Sequence, residues 1–145
     1  ETALKESNDQ KSVSTKRFTA SEAKILAVDD NSMNLAVVKG LLKRTKVQLD
    51  LAGSGKECLA LTAVRKYDMI LMDHMMPDPD GIATLHMLHA DTTNINRDTP
   101  VIVLTANALE GMRDQYLAEG FTDYLSKPIE VENLEAVLIR HLTQN

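Results

Sequence analysis

The chain holds 145 residues, 43% of them hydrophobic and 26% charged, with a net charge of −5. That length suits one domain around a single core, and the acidic balance argues against a general electrostatic grip on nucleic acid, which needs a basic face. No apolar run approaches the roughly 20 residues that span a bilayer, and the lone Cys58 rules out an internal disulfide, so a reducing, cytoplasmic setting without direct membrane contact is expected.

Residues 1–22 are rich in Ser, Thr, Lys, Asn and Gln, with apolar residues only singly. Such a segment cannot bury enough surface to offset chain ordering, and it reads as a polar, disordered linker ahead of a domain over 23–145. Because the chain opens on Glu1, it is expected to be a piece of a longer protein, with something attached upstream and no output domain after the last helix.

Strand and helix patterns then alternate. An apolar run, Lys24 to Val28, ends in Asp29 and Asp30. A helix follows, capped by Asn31 or Ser32, with Leu35, Val38 and Leu42 facing inward. A short strand, Val47 to Ala52, leads through Gly53-Ser54-Gly55 to a helix carrying Leu59, Ala63 and Val64, in which Cys58 is expected to be partly buried. Met69-Ile70-Leu71-Met72 is nearly all apolar, as a central parallel strand should be, and it delivers Asp73. Ile82, Leu85 and Leu88 mark a third helix. Val101 to Leu104 forms a strand ending at Thr105, and a fourth helix is expected from about Asn107 to Glu119. Phe121 to Leu125 runs into Ser126-Lys127-Pro128, and Val131, Leu134, Leu138 and Leu142 line the last helix. Five βα units with short connections imply an α/β, doubly wound (βα)5 fold whose parallel sheet carries helices on both faces.

Four strand ends thus offer three carboxylates (Asp29, Asp30, Asp73), the Thr105 hydroxyl and the Lys127 ammonium. A single aspartate at a strand end is usually a turn former or a cap, which is a fair reading of Asp80 before Gly81. The whole set instead fits Mg²⁺-dependent phosphoryl chemistry on an aspartate. Other signals carry less. Gly53-Ser54-Gly55-Lys56-Glu57 lacks the spacing of a phosphate loop. His86 and His89 have no third ligand for a metal and suit a solvated helix face.

Val28-Asp29-Asp30-Asn31, Met72-Asp73-His74-Met75-Met76-Pro77, Asp80-Gly81, Leu104-Thr105-Ala106-Asn107-Ala108 and Asp123-Tyr124-Leu125-Ser126-Lys127-Pro128 resemble the receiver domains of two-component response regulators, most of all those of hybrid histidine kinases. Five motifs in order are far more specific than one. The resemblance implies a flavodoxin-like sheet in the order 2-1-3-4-5, with Asp29, Asp30 and Asp73 around one crevice. Close carboxylates repel unless a cation joins them, and Mg²⁺, for which Mn²⁺ could substitute, suits such oxygen donors.

By the same resemblance, Asp73 accepts a phosphoryl group, the Met75 backbone carbonyl joins the metal ligands, and Lys127 clamps a phosphoryl oxygen. Thr105 binds the phosphoryl group while Tyr124 turns inward as a switch, and the Lys127-Pro128 bond is cis. The implied partner is a histidine kinase domain or a histidine phosphotransfer protein. Weak self-association is expected through the face of the fourth helix, fifth strand and last helix. Such a domain catalyses its own phosphotransfer and slow dephosphorylation without being a free-standing enzyme. Met75 and Asn107, which stand where the family tunes that decay, are not acids. Asp78-Pro79 departs from the family's more usual glycine and methionine. A phosphatase of the haloacid-dehalogenase type would need an acid two residues after Asp29, where Asn31 stands.

Overall fold

The computed structural model describes residues 22–106 and 112–142; the expected linker, but for Glu22, and residues 107–111, where the fourth helix was expected to begin, lie outside them. Five strands form one parallel sheet: β1 (Lys24–Val28), β2 (Gln48–Ala52), β3 (Met69–Asp73), β4 (Val101–Thr105) and β5 (Asp123–Ser126). Their order is β2-β1-β3-β4-β5, as the resemblance implied. Among the described residues five α-helices connect and follow them: α1 (Ser32–Leu42), α2 (Gly55–Val64), α3 (Gly81–Ala90), α4 (Met112–Glu119) and α5 (Val131–Leu142).

The register decides where the site falls. Val28 pairs with Met72, and Asp73 pairs with Leu104, so the residues that follow β1, β3 and β4 emerge side by side at the carboxyl edge. Crevices outside that edge are where open α/β sheets bind ligands. The point where the order reverses lies between β1 and β3.

Side-chain alternation splits the core in two. Ile25, Ala27, Met69, Leu71, Ile102 and Leu104 face α1 and α5, which contribute Leu35, Val38, Leu42, Leu134 and Leu138. Leu26, Val28, Ile70, Met72, Val101 and Val103 face the other side, with Cys58, Leu85, Leu88 and Tyr116. Every residue of β3 and β4 is buried, which explains their unbroken apolar runs.

Of Leu59, Ala63 and Val64, which mark the second helix in the sequence, only Leu59 packs against the core. Val64 is 74% exposed and Ala63 is exposed, while Gly55, Cys58 and Thr62 form the inward stripe. Ser54 caps the helix by accepting from the Glu57 amide, which fixes its start and therefore its phase. Gly55 then presses against α3: a Cβ there would collide with the Thr84 hydroxyl and lie 2.8 Å from Pro79 Cγ. Cys58 is fully buried rather than partly so, and desolvation pushes its thiol up to about 12, which makes it a packing residue. β2 begins one residue later than expected, after Lys46 turns the chain at φ 64°. β5 begins two residues later, at Asp123.

Candidate functional site

The three acids owe their positions to strand ends and to local capping. The Asp29 amide donates to the Ala52 carbonyl at 3.0 Å, so β1 stays paired up to that residue. Asp29 Oδ1 accepts from the Asn31 amide at 3.0 Å. Asn31, not Ser32, caps α1, its Oδ1 accepting from the amides of Met33 and Asn34 at 2.8 and 3.3 Å. Asp30 is left exposed between them. Asp73 closes β3 at 3% exposure and Asp29 is 2% exposed. One carboxylate oxygen from each of Asp29, Asp30 and Asp73 lies within 4.8 Å of the others.

The loop behind Asp73 is tightly returned to the sheet. The His74 amide donates to Leu104 at 3.1 Å, and the Gly81 amide donates to the His74 carbonyl at 3.0 Å. A Cβ at Gly81 would run into the Asp73 carbonyl oxygen and lie 3.0 Å from His74 Cα, so only glycine fits. Asp80 caps α3, accepting from the Ala83 amide at 2.8 Å, in keeping with its bland reading. Met75 is 73% exposed in this loop. The Asp78-Pro79 and Lys127-Pro128 bonds are both cis.

Lys127 comes from the fifth strand end, where its amide donates to the Thr105 carbonyl at 2.8 Å. Its Nζ lies 2.5 Å from Asp73 Oδ1 and 3.7 Å from Asp29 Oδ2. Burial pushes the Asp73 carboxyl above its ordinary value. The hydrogen bond from Lys127 pulls it back, and the charges of Asp29 and Asp30 push it up again. One ammonium against three carboxylates leaves two negative charges in excess. The donor set is all hard oxygen, which fits Mg²⁺ and would be relieved by it.

Thr105 is buried at 3% exposure, and its hydroxyl lies 2.8 Å from the hydroxyl of Tyr116 on α4. That same Tyr116 hydroxyl lies 2.9 Å from His74 Nδ1. Tyr124 is half-buried at the edge of the core. The sequence reading singled out Tyr124 and passed over Tyr116. A tyrosine on the apolar stripe of a helix reads as packing, and nothing in the sequence pairs it with Thr105. His86 bonds Glu119 at 2.9 Å on the surface rather than a metal partner.

A five-stranded doubly wound sheet with three acids, a threonine and a lysine at its carboxyl edge defines the receiver class of signalling domain. The chain belongs to the response regulator receiver domain family, matching it over residues 25–139. It is 39% identical over 117 residues to the signal transduction histidine-protein kinase BarA of Shigella flexneri, covering 81% of this chain and 12% of that kinase. Hybrid signal transduction histidine kinase G of Dictyostelium discoideum is 34% identical, covering 92% of this chain and 4% of that protein. The chain therefore spans a small fraction of the kinases it matches. Among solved structures, the Francisella response regulator 1452 receiver domain superposes with a TM-score of 0.76 at 32% identity, covering 86% of this chain and all of that one. The receiver domain of sensor histidine kinase PA1611 from Pseudomonas aeruginosa PAO1, solved with a magnesium ion in its active-site cleft, has a TM-score of 0.74 at 34% identity, covering 83% and 97%. No helix among the described residues is long and apolar enough to cross a membrane.

Proposed function

We propose that this receiver domain takes a phosphoryl group from a phosphohistidine onto Asp73 and changes conformation in response. The observation that carries the proposal is the Lys127 ammonium, 2.5 Å from Asp73 Oδ1 and beside the Asp29–Asp30–Asp73 cluster. Asp29, Asp30, Asp73 and the Met75 carbonyl are the ligands proposed for Mg²⁺. The ion would supply charge neutralisation for phosphoryl oxygens that otherwise meet two uncompensated carboxylates.

The chain's own groups do the rest. An Asp73 carboxylate oxygen forms the new bond to phosphorus while the bond from phosphorus to the donor's imidazole nitrogen breaks. Lys127, already held at the nucleophile, is within a short swing of a phosphoryl oxygen and stabilises its charge. The Thr105 hydroxyl is the proposed donor to another. Met75 carries no acid to orient an attacking water, so the acyl phosphate is expected to decay slowly.

A protein donor is the natural partner. Met33 and Val37 on the first two turns of α1 are 75% and 51% exposed, directly beyond Asp30. Val37 also lines a small hollow with Asp29, Lys127 and Ile129. Apolar side chains beside a charged crevice suit a histidine-bearing helix or kinase domain better than a free small molecule. The cytoplasmic placement and a parent hybrid kinase belong to the same proposal.

Incubation with acetyl phosphate and Mg²⁺ should add one acid-labile phosphoryl group by intact mass. Asp73→Asn and chelation of Mg²⁺ should each abolish it. Labelling of Asp73→Asn to the wild-type extent would overturn the assignment.

A further inference from the structure

Tyr116 stands out in the wall of apolar side chains beneath β4. It points inward from α4 at 2% exposure. Its ring meets Phe121 edge-on at 5.9 Å between centroids and the His74 ring edge-on at 5.4 Å. A phenylalanine would serve that packing equally well. A hydroxyl buried there is tolerated only if it is bonded. It is bonded twice, to Thr105 Oγ1 at 2.8 Å and to His74 Nδ1 at 2.9 Å. One oxygen thus joins α4, the tip of β4 and the residue that follows Asp73.

We infer that Tyr116 is a positioning residue for the phosphoryl site. It restrains the Thr105 hydroxyl on the α4 side of the sheet, and this bond breaks when Thr105 turns toward a group on Asp73. The inference rests on the reading of Asp73 as phosphoacceptor. Its geometric basis is the alternation along β4. Val101 and Val103 face the layer that holds Tyr116, and Thr105 continues that phase, whereas Leu104, the partner of Asp73, faces the opposite layer. Thr105 therefore reaches a phosphoryl group on Asp73 only by swinging over the sheet edge. Tyr116, held by ring contacts on two sides, does not follow.

The consequence is a coupling between chemistry and helix. Once Thr105 leaves, the Tyr116 hydroxyl keeps His74 and loses Thr105, so one of the two side-chain bonds this hydroxyl makes is gone. The hydroxyl has one proton and two acceptor positions, which lets it keep the remaining bond in either direction. α4 then keeps only its bond to His74 and its apolar contacts at this point, and is the element free to shift.

Tyr116→Phe tests this directly, because it keeps the ring and deletes only the hydroxyl. On activation the wild-type domain gives up the Thr105–Tyr116 bond; the variant has none to give up. The net strength of an ordinary neutral hydrogen bond corresponds to about two- to tenfold in affinity. Calorimetric titration with beryllofluoride and Mg²⁺ should show Tyr116→Phe binding tighter than wild type by that factor. In a Thr105→Ala background the same change should have no effect, since the coupling is between these two side chains. Without phosphate mimic or metal, the Thr105 methyl resonance should shift in Tyr116→Phe, a signature that loss of packing elsewhere would not give. Equal or weaker binding by Tyr116→Phe, or equal tightening in the Thr105→Ala background, would overturn the inference alone. Failure of the wild-type chain to bind the mimic would overturn the phosphoacceptor reading and this inference with it.

Discussion

Asn96 offers the sharpest test of how the site is held, although it lies at the opposite end of the sheet. Its side chain is fully buried and makes four hydrogen bonds. Nδ2 donates to the carbonyls of Thr62 and Arg65 at 2.7 and 2.6 Å, near the carboxyl end of α2. Oδ1 accepts from the Tyr67 amide at 2.7 Å and from the Thr99 hydroxyl at 2.9 Å. One amide thus ties the exit of α2, the entry to β3 and the entry to β4 together. Asn96→Ala leaves the Tyr67 amide without this partner, at roughly 1–3 kcal/mol for a buried unsatisfied donor. The three other bonds lost, two of them to carbonyls that keep a second lone pair, add roughly 0.5–1 kcal/mol each. The expected loss is about 2.5–6 kcal/mol, a large share of a typical domain's roughly 5–15 kcal/mol. Urea denaturation followed by circular dichroism reads it. Asn94→Ala, which removes one bond to the Asn96 amide at 2.7 Å and one to the Thr62 hydroxyl at 3.2 Å, should lose clearly less. A loss below about 1 kcal/mol for Asn96→Ala would refute the reasoning, because it would mean that water replaces all four partners.

Three further outcomes follow, two from the site and one from the last helix. Gly81→Ala should lower the melting temperature and slow phosphorylation together, because the added Cβ meets the Asp73 carbonyl oxygen and must displace the loop; unchanged values of both would show that the loop adapts freely. The raised Asp73 carboxyl makes a stabilising contribution that is full below the ordinary aspartate pKa and lost as pH rises through its folded value. The ion-free domain should therefore lose stability over that window relative to Asp73→Asn, and Mg²⁺ should restore more at pH 7 than at pH 4; a Mg²⁺ effect independent of pH would contradict the cluster as its site. Asp123 behaves oppositely: burial disfavours its charge, but His141, the Tyr124 amide and Arg140 together hold its carboxyl below the ordinary value. Its contribution is present above the ordinary aspartate pKa and lost as pH falls through the depressed one. Asp123→Asn should cost about 1–2 kcal/mol at pH 7, reduced by the half-exposure of Arg140, and an equal cost at pH 7 and pH 2 would refute the electrostatic origin.

Much of this site is readable from the chain because strand ends carry it. Asp73 and Lys127 each follow an apolar run whose period places them at the same edge, and β3 is apolar throughout because both its faces are covered. What stays hidden are contacts between residues far apart whose types have a commoner role. Tyr116 sits 11 residues from Thr105 and 42 from His74, and a tyrosine facing a core is ordinary packing until its hydroxyl partners are known. Asn94, Asn96 and Thr99 belong to no motif or periodic pattern, yet they are buried and bond to one another and to Thr62 of α2. Of the residues that mark α2 in the sequence, Leu59 packs partly buried against the core, but Ala63 and Val64 are exposed. Close approach to α3 instead selects Gly55, which a larger residue could not replace, while Thr62 turns inward to meet Asn94 and Asn96.

Asp73, and no other acid of the cluster, is the proposed carrier of the phosphoryl group. Acyl phosphates are reduced by borohydride to the alcohol, so a phosphorylated aspartate is converted to homoserine and its position is fixed by peptide sequencing in a mass spectrometer. After acetyl phosphate and Mg²⁺, homoserine should appear at position 73 alone. Its appearance at Asp29 or Asp30, or its absence from position 73 in a chain that has gained a phosphoryl group, would contradict the account.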